Sequence, residues 1–195
     1  MHRKRIMSVF AIALCGVLLA GGGALAARAG AGSPAARGTT TAPESGGHVF
    51  FTAYANDDLP GATVVLPGAI GDFGAAVSVL RNGKVDPEHS SQFNLALTQG
   101  SFRIVIGPLH TKLENALPRA PFNLRTCSGH VVVTGTAPVV AGSGTGAYEG
   151  INGSFKLTIT ANEVVGQLGQ PCHRWSGLPF GEAIFIAGSG TVSFR

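Results

Sequence analysis

Acidic side chains occur at two places in this 195-residue chain where they could act together in proton transfer. Asp57 and Asp58 follow a strand-like segment, and Glu149 lies in a glycine-rich segment further along the chain. Such carboxylates could serve as a general acid and a general base if the fold brings them together at the mouth of a β-barrel. Carboxylates at turns and strand rims are more common than catalytic pairs, so we favour a structural role for these residues.

The histidines do not form a recognisable metal-binding pattern. His48, His110, His130 and His173 are far apart in the sequence, and Cys172 beside His173 lacks further ligands at a familiar spacing. The chain contains neither the His-Glu-x-x-His zinc motif nor the Gly-x-Ser-x-Gly nucleophile turn. We therefore expect no metal and no cofactor. His130 stands out because it opens a segment otherwise made of Val and Thr.

Cys127 and Cys172 are the two cysteines that follow the leader segment. Two cysteines in an exported chain most simply form a disulfide. In the chain-entropy model, closing a loop of this length stabilises the folded state by roughly 4 kcal/mol. The alternative is a metal or catalytic role for Cys172.

The N-terminus has the pattern of an export signal. A basic start at Arg3-Lys4-Arg5 precedes an apolar run, and Ala24 and Ala26 provide the small residues that a signal peptidase accepts. We predict a signal peptide over residues 1–26, a disordered tether over 27–46 and one domain over 47–195, which places the mature protein outside the cell. An uncleaved membrane anchor is the alternative.

The charge distribution argues against a nucleic-acid partner. The net charge of +4 arises before residue 47, because the rest of the chain carries equal numbers of basic and acidic residues. Binding to phosphates requires positive charge clustered on the folded part. We therefore expect no nucleic-acid partner and, after cleavage of the signal peptide, no membrane association.

Short alternating segments separated by glycines predict an all-β domain. The clearest strands are predicted at 48–55, 62–66, 72–80, 93–98, 101–106, 130–140 and 155–160, followed by 182–187 and 191–194 with a hinge at Gly188-Ser189-Gly190. The pair Asn82-Gly83 favours a hairpin turn, and a short helix is possible near 111–116. About eight strands over this length are typical of a closed barrel or a sandwich.

Residues 144–157, Gly-Thr-Gly-Ala-Tyr-Glu-Gly-Ile-Asn-Gly-Ser-Phe-Lys-Leu, resemble the signature of the allene oxide cyclase barrel. The related dirigent proteins carry a looser glycine-rich version. Residues 54–58 fall where the cyclases have Glu-x-Asn at the end of their first strand, and Asp72-Phe73-Gly74 is a weaker echo of another stretch. The resemblance implies an eight-stranded antiparallel, calycin-like barrel with an apolar interior, and it implies oligomers by analogy.

The resemblance does not carry the cyclase reaction with it. Asn56 matches the asparagine that holds a water near the epoxide in the family, but Tyr54 replaces the preceding carboxylate. A phenol with a pKa of about 10 supplies no negative charge at pH 7. If the protein is nevertheless an enzyme, we expect a cyclase-like isomerase in which Tyr54, Asn56 and Arg103 converge inside the barrel.

We expect a secreted barrel that binds a small hydrophobic or amphipathic ligand without converting it. The residues predicted to contact the ligand are Phe50, Tyr54, Phe102, His130 and Tyr148. The alternatives are an isomerase or dirigent-like enzyme acting on a reactive hydrophobic intermediate, and a non-catalytic structural or interaction domain.

Overall fold

The computed structural model describes residues 46–56, 61–86, 89–165, 172 and 179–194. Ten strands and one short helix follow one another along the chain: β1 (Gly46–Asn56), β2 (Ala62–Leu66), β3 (Asp72–Val79), β4 (Gln92–Leu97), β5 (Gly100–Val105), α1 (Gly107–Ala116), β6 (Phe122–Asn123), β7 (Ser128–Pro138), β8 (Thr145–Gly146), β9 (Asn152–Val165) and β10 (Pro179–Ser193). The predicted all-β class is therefore confirmed.

All strands belong to one antiparallel sheet with the order β6-β7-β9-β10-β1-β2-β3-β4-β5-β8. Among the described residues its two terminal strands are not paired with each other, so the sheet is not closed by a continuous ladder. One isolated bridge joins Ile104 in β5 to Val139, just after β7. Beside it, the N–H of Val140 donates to the carbonyl oxygen of Arg103 at 2.8 Å.

Alternation along the strands directs one face of the sheet into a single apolar core. In β9 the buried positions are Phe155, Leu157, Ile159 and Ala161, while the residues between them are more exposed. The ring centroids of Phe51 and Phe155 lie 5.7 Å apart in an edge-to-face arrangement. The period of two read from the sequence therefore identifies the core face correctly.

Helix α1 closes part of the core next to β7. Pro108 lies in its first turn, where the missing N–H costs no helical hydrogen bond. Leu109 and Leu113 are its buried residues. Leu109 packs against Gly135 of β7, and the Lys112 ammonium donates to the carbonyl oxygen of Thr134 at 3.0 Å. The helix begins earlier than the predicted turn at 111–116. Within the described residues no helix is long and apolar enough to cross a membrane.

The expected hinge at Gly188-Ser189-Gly190 is wrong, because β10 runs without interruption from Pro179 to Ser193. These glycines allow two long strands to coil closely around each other. A Cβ atom on Gly188 would lie 2.0 Å from the carbonyl oxygen of Lys156 in β9. A Cβ atom on Gly190 would lie 2.8 Å from the ring of Phe155. Glycine marks close backbone approach here and not the end of a strand.

A disulfide joins Cys127 to Cys172, with their Cα atoms 5.5 Å apart. Cys127 lies in the turn between β6 and β7 and has a φ of 54°. Its carbonyl oxygen accepts a hydrogen bond of 2.8 Å from the N–H of Val165 at the end of β9. The predicted pairing of these two cysteines is thus present in the structure.

Some sequence-based expectations lie outside the described residues. They include the signal peptide over 1–26, the tether up to residue 45, and the side chains of Asp57, Asp58 and His173. Strand β1 begins at Gly46, one residue before the predicted start of the domain. The expected turn at Asn82-Gly83 forms, since the N–H of Leu80 donates to the carbonyl oxygen of Lys84 at 2.8 Å.

We predict that Gly188→Ala lowers the free energy of unfolding by about 1–3 kcal/mol, because its methyl group would displace the backbone of β9. The matched control is Gly181→Ala in the same strand, since a Cβ atom there meets no other atom within 4 Å. This control should change stability by no more than about 0.5 kcal/mol. Chemical denaturation of both variants checks the prediction, and equal effects would contradict it.

Candidate functional site

The glycine-rich segment at 144–151 holds Tyr148 inside the core. Tyr148 is 1% exposed and packs edge-to-face on Phe102, with ring centroids 5.5 Å apart. Two tight turns shape the segment: the N–H of Tyr148 donates to Thr145 O, and the N–H of Ile151 donates to Tyr148 O, both at 3.1 Å. Position 144 must be glycine, because a Cβ atom there would lie 1.8 Å from the carbonyl oxygen of Tyr148.

The Tyr148 hydroxyl donates a hydrogen bond of 2.5 Å to the carboxylate of Asp72 at the start of β3. Asp72 is 5% exposed. It also accepts from the Thr98 hydroxyl at 2.5 Å and from the backbone N–H groups of Phe73 and Gln99 at 2.7 and 3.1 Å. We call these residues the Asp72 network. It ties β3 and the β4–β5 turn to the glycine-rich segment.

Opposing effects set the ionisation of the Asp72 network. Burial acts to raise the pKa of Asp72, but the hydrogen bonds from Thr98, Tyr148, Phe73 and Gln99 outweigh it and hold the pKa below its ordinary value. Burial, followed by the hydrogen bond to Asp72 and its negative charge, raises the pKa of Tyr148 well above its ordinary value. Asp72 is thus a carboxylate and Tyr148 a neutral phenol at neutral pH.

The Asp72 network is built for structure. A carboxylate can accept about four hydrogen bonds, and protein donors already occupy these positions. Catalysis would need an acceptor directed at a ligand. The two sequence stretches that echo the cyclase family therefore meet in a buried lock between distant parts of the chain.

A groove of about 710 Å³ lies at the other end of the long strands. It is lined by residues of β6, β7, β9 and β10 and of the segments next to them: Pro121, Phe122, Asn123, Ser128, Gly129, His130, Asn162, Glu163, Val164, Gly181, Glu182 and Ala183. Pockets of about 300–1,000 Å³ hold small molecules. We call this the β6–β10 groove.

His130 and Asn162 form a hydrogen-bonded pair in the β6–β10 groove. They are direct neighbours across β7 and β9, and His130 Nδ1 lies 2.7 Å from Asn162 Oδ1. If Asn162 accepts this bond, Nδ1 carries the proton and Nε2 is left as the acceptor. The pair can orient an imidazole that accepts a hydrogen bond from a ligand or moves a proton.

Glu163 and Glu182 add negative charge to the same groove. They are direct cross-strand neighbours in β9 and β10. Each is in phase with buried residues of its own strand, Ala161 for Glu163 and Ile184 for Glu182. Opposed like charges are unfavourable in a sheet, so their retention at a groove suggests selection for something other than stability. Lining residues of the groove include no Lys or Arg.

The structure separates the residues predicted to contact a ligand. Phe102 and Tyr148 lie in the core with 0% and 1% exposure. Phe50 and Tyr54 lie on the outer face, so the expectation that Phe50 lines the interior is wrong. His130 lies in the β6–β10 groove. The alternation of β1 decides this outcome, because Val49, Phe51 and Ala53 take the inward positions.

The residues predicted to be catalytic do not converge inside the sheet. Tyr54 packs against Phe185 on the outer face, with ring centroids 5.0 Å apart. The Arg103 guanidinium donates to Gln92 Oε1 at 3.1 Å and to the carbonyl oxygen of Arg81 at 2.7 Å. By register, Asn56 is opposite Ala183, in the cross-strand row of Asn162 and His130. The expected meeting of Tyr54 with Arg103 is therefore corrected.

The sequence analysis missed Asn162, Glu163 and Glu182. The pairing of β7, β9 and β10 puts them together, and no local motif announces it. Polar residues at the end of the alternating segment 155–161 were the available signal. Among the described residues no group of three or more His, Cys, Asp or Glu is arranged to hold a metal ion. No family model, curated protein or solved structure matches this chain.

We predict that Tyr148→Phe lowers the free energy of unfolding by about 1–3 kcal/mol, since it leaves a buried carboxylate without one of its donors. The matched control is Tyr54→Phe, which alters the only other tyrosine of the chain, on the outer face. That control should stay within about 0.5 kcal/mol of the wild type. Urea denaturation at pH 7 measures both, and a neutral Tyr148→Phe would contradict the structural role of the Asp72 network.

Acid should remove the contribution of Asp72. Because its pKa is lower in the folded state than the ordinary 3.8, its stabilisation is fully present above about pH 5. It is lost as the pH falls through the unfolded-state value towards the folded-state value. Asp72→Asn should therefore destabilise the protein strongly at pH 6 and progressively less as the pH falls below 4. A difference between the two proteins that stayed constant with pH would contradict this.

Proposed function

We propose that this is an exported β-barrel protein that binds a small amphipathic molecule in the β6–β10 groove without converting it. The groove of about 710 Å³, with the hydrogen-bonded His130–Asn162 pair, is the observation that carries the proposal. The pattern of residues 1–26 supports export. The Cys127–Cys172 disulfide is also consistent with an oxidising compartment.

The barrel itself is part of the proposal. The longer strands follow one another in the order β7-β9-β10-β1-β2-β3-β4-β5, which makes eight, and β6 and β8 contain two residues each. The bridge between Ile104 and Val139 brings β5 next to the end of β7, as closure requires. The likeness of residues 144–157 to the allene oxide cyclase and dirigent families supports the same architecture.

We place the ligand in the groove and not at the centre of the barrel. Phe51, Phe102 and Phe155 are at most 1% exposed and belong to one continuous core. Side chains that line a cavity of ligand size keep exposed surface, so this part of the interior is filled by the protein's own aromatic rings. Of the residues predicted to contact a ligand, His130 alone lines the groove.

The groove lining indicates the kind of ligand. Phe122 and Val164 offer apolar surface, and the His130–Asn162 pair offers directed hydrogen bonds. Glu163 and Glu182 disfavour an anion. A small amphipathic molecule with a hydrogen-bond donor and no negative charge fits this combination.

An isomerase is the second candidate, and the His130–Asn162 pair is the observation that favours it. A histidine held by an asparagine can accept a proton and return it to another atom of the same substrate. The proposal of binding without conversion differs from it in one respect: the bound molecule is recovered unchanged.

Native mass spectrometry of the exported protein, followed by denaturing extraction, tests the proposal. We expect a bound small molecule in the wild type. The fluorescent amphipathic probe N-phenyl-1-naphthylamine should bind the emptied protein. Val164→Trp should weaken probe binding at least tenfold by filling the groove, whereas Val85→Trp, at an exposed site away from the groove, should not.

The outcomes separate the candidates. If the wild type binds neither a co-purified molecule nor the probe, the proposed function is wrong. If the extracted molecule is converted to an isomer on incubation with the wild type and not with His130→Ala, the isomerase is correct and binding without conversion is wrong.

A further inference from the structure

The outer faces of β10, β1, β2 and β3 form a surface rich in exposed apolar side chains. We call it the aromatic face and define it by the outward side chains of these strands. Five of the nine large hydrophobic residues that are exposed in the described part of the chain lie on it: Phe50, Tyr54, Val65, Phe73 and Phe185. Contiguous apolar patches of this kind mark interaction surfaces.

Strand register makes the aromatic face continuous. Tyr54 is directly opposite Phe185, and Val65 of β2 is directly opposite Phe73 of β3. Thr52 of β1 pairs with Val65 and joins the two groups. Phe50 lies on the same face of β1 as Tyr54, four residues earlier, and packs edge-to-face on His48 at 4.7 Å.

The aromatic face lacks full charges. At the outward positions of β1, β2, β3 and β10 whose side chains the structure describes there is no Asp, Glu, Lys or Arg. Hydroxyl and methyl groups lie between the rings, at Thr52, Thr63, Ala187 and Ser189. Without charges the surface cannot attract a nucleic acid, an acidic peptide or an anionic membrane. It suits an uncharged partner with both apolar and hydroxyl-bearing sides.

The size of the aromatic face decides between the remaining partners. Four strands span about 14 Å, and the four residues from Phe50 to Tyr54 span about 13 Å. The resulting area of roughly 190 Å² is about a quarter of the 800 Å² that each partner contributes to a standard protein interface. A second copy of the chain would need much more surface, but a narrow linear chain would not.

We infer that the aromatic face binds a neutral polysaccharide. Sugar rings have C–H faces that pack on exposed aromatic rings, and their hydroxyl groups exchange hydrogen bonds with threonine and serine. A polysaccharide chain is narrow enough for the face, and its neutrality matches the missing charges. This inference is independent of the β6–β10 groove and adds a second binding surface to the protein.

Pull-down of the full exported protein with microcrystalline cellulose and with insoluble chitin tests the inference. We expect the wild type to partition onto at least one of them and to remain bound in 1 M NaCl, because no ionic contacts are involved. The triple variant Phe50→Ala, Tyr54→Ala, Phe185→Ala should lower the partition coefficient at least tenfold. Its thermal unfolding, measured in parallel, should show a folded protein, since the replaced side chains are exposed.

The matched control is the double variant Val85→Ala, Leu124→Ala, which removes exposed apolar side chains away from the aromatic face. It should bind like the wild type. The inference is overturned if the wild type binds neither glycan, if the control loses as much binding as the triple variant, or if salt releases the protein. It is also overturned if light scattering shows an oligomer that only the triple variant dissociates, because a second copy would then occupy the face.

Discussion

The buried carboxylate of Asp72 is the constraint around which one end of this fold is arranged. An ionised carboxylate loses the solvation of water when it is buried, and only donors from the protein can replace it. Here they come from its own strand, from the β4–β5 turn and from Tyr148, 76 residues further along the chain. The geometry of the glycine-rich segment follows from this need, because its turns must deliver the Tyr148 hydroxyl into the core. Gly144 allows that approach by leaving space for the Tyr148 carbonyl.

The other end of the strands is under different demands. Between Asn152 and Asn162, β9 covers about 33 Å, which separates the Asp72 network from the β6–β10 groove. At the groove, polar side chains replace the apolar ones that continue the inward rows elsewhere, and the Cys127–Cys172 disulfide anchors the adjoining turn. A rigid lock at one end and a polar groove at the other end let recognition vary without loosening the core. The uncharged aromatic face along the side of the same strands is a third, separate surface.

Much of the fold could be predicted because alternation and glycine punctuation are local signals. Strand β2 was predicted with its observed bounds, and β4, β5 and β7 were displaced by only one or two residues. Failures occurred where glycine has a long-range reason. Gly188 and Gly190 look like a hinge in sequence, yet they allow β9 and β10 to approach each other closely. Predictions of site residues fared less well, because residue type does not tell which face of a strand a side chain occupies. Phe50 and Phe51 are identical neighbours with opposite fates, one exposed and one buried.

The sequence by itself determined the all-β class, the core periodicity and the pairing of two cysteines, since each depends on spacing along the chain. Its glycine-rich segment also indicated the resemblance to a barrel family. Only the tertiary structure decided which side chains meet. Asp72 with Tyr148, His130 with Asn162 and Glu163 with Glu182 are brought together by strand register. Register depends on the packing of the whole sheet, because a slip of one residue would turn every inward side chain outward. For that physical reason no local pattern contained the groove, the lock or the aromatic face.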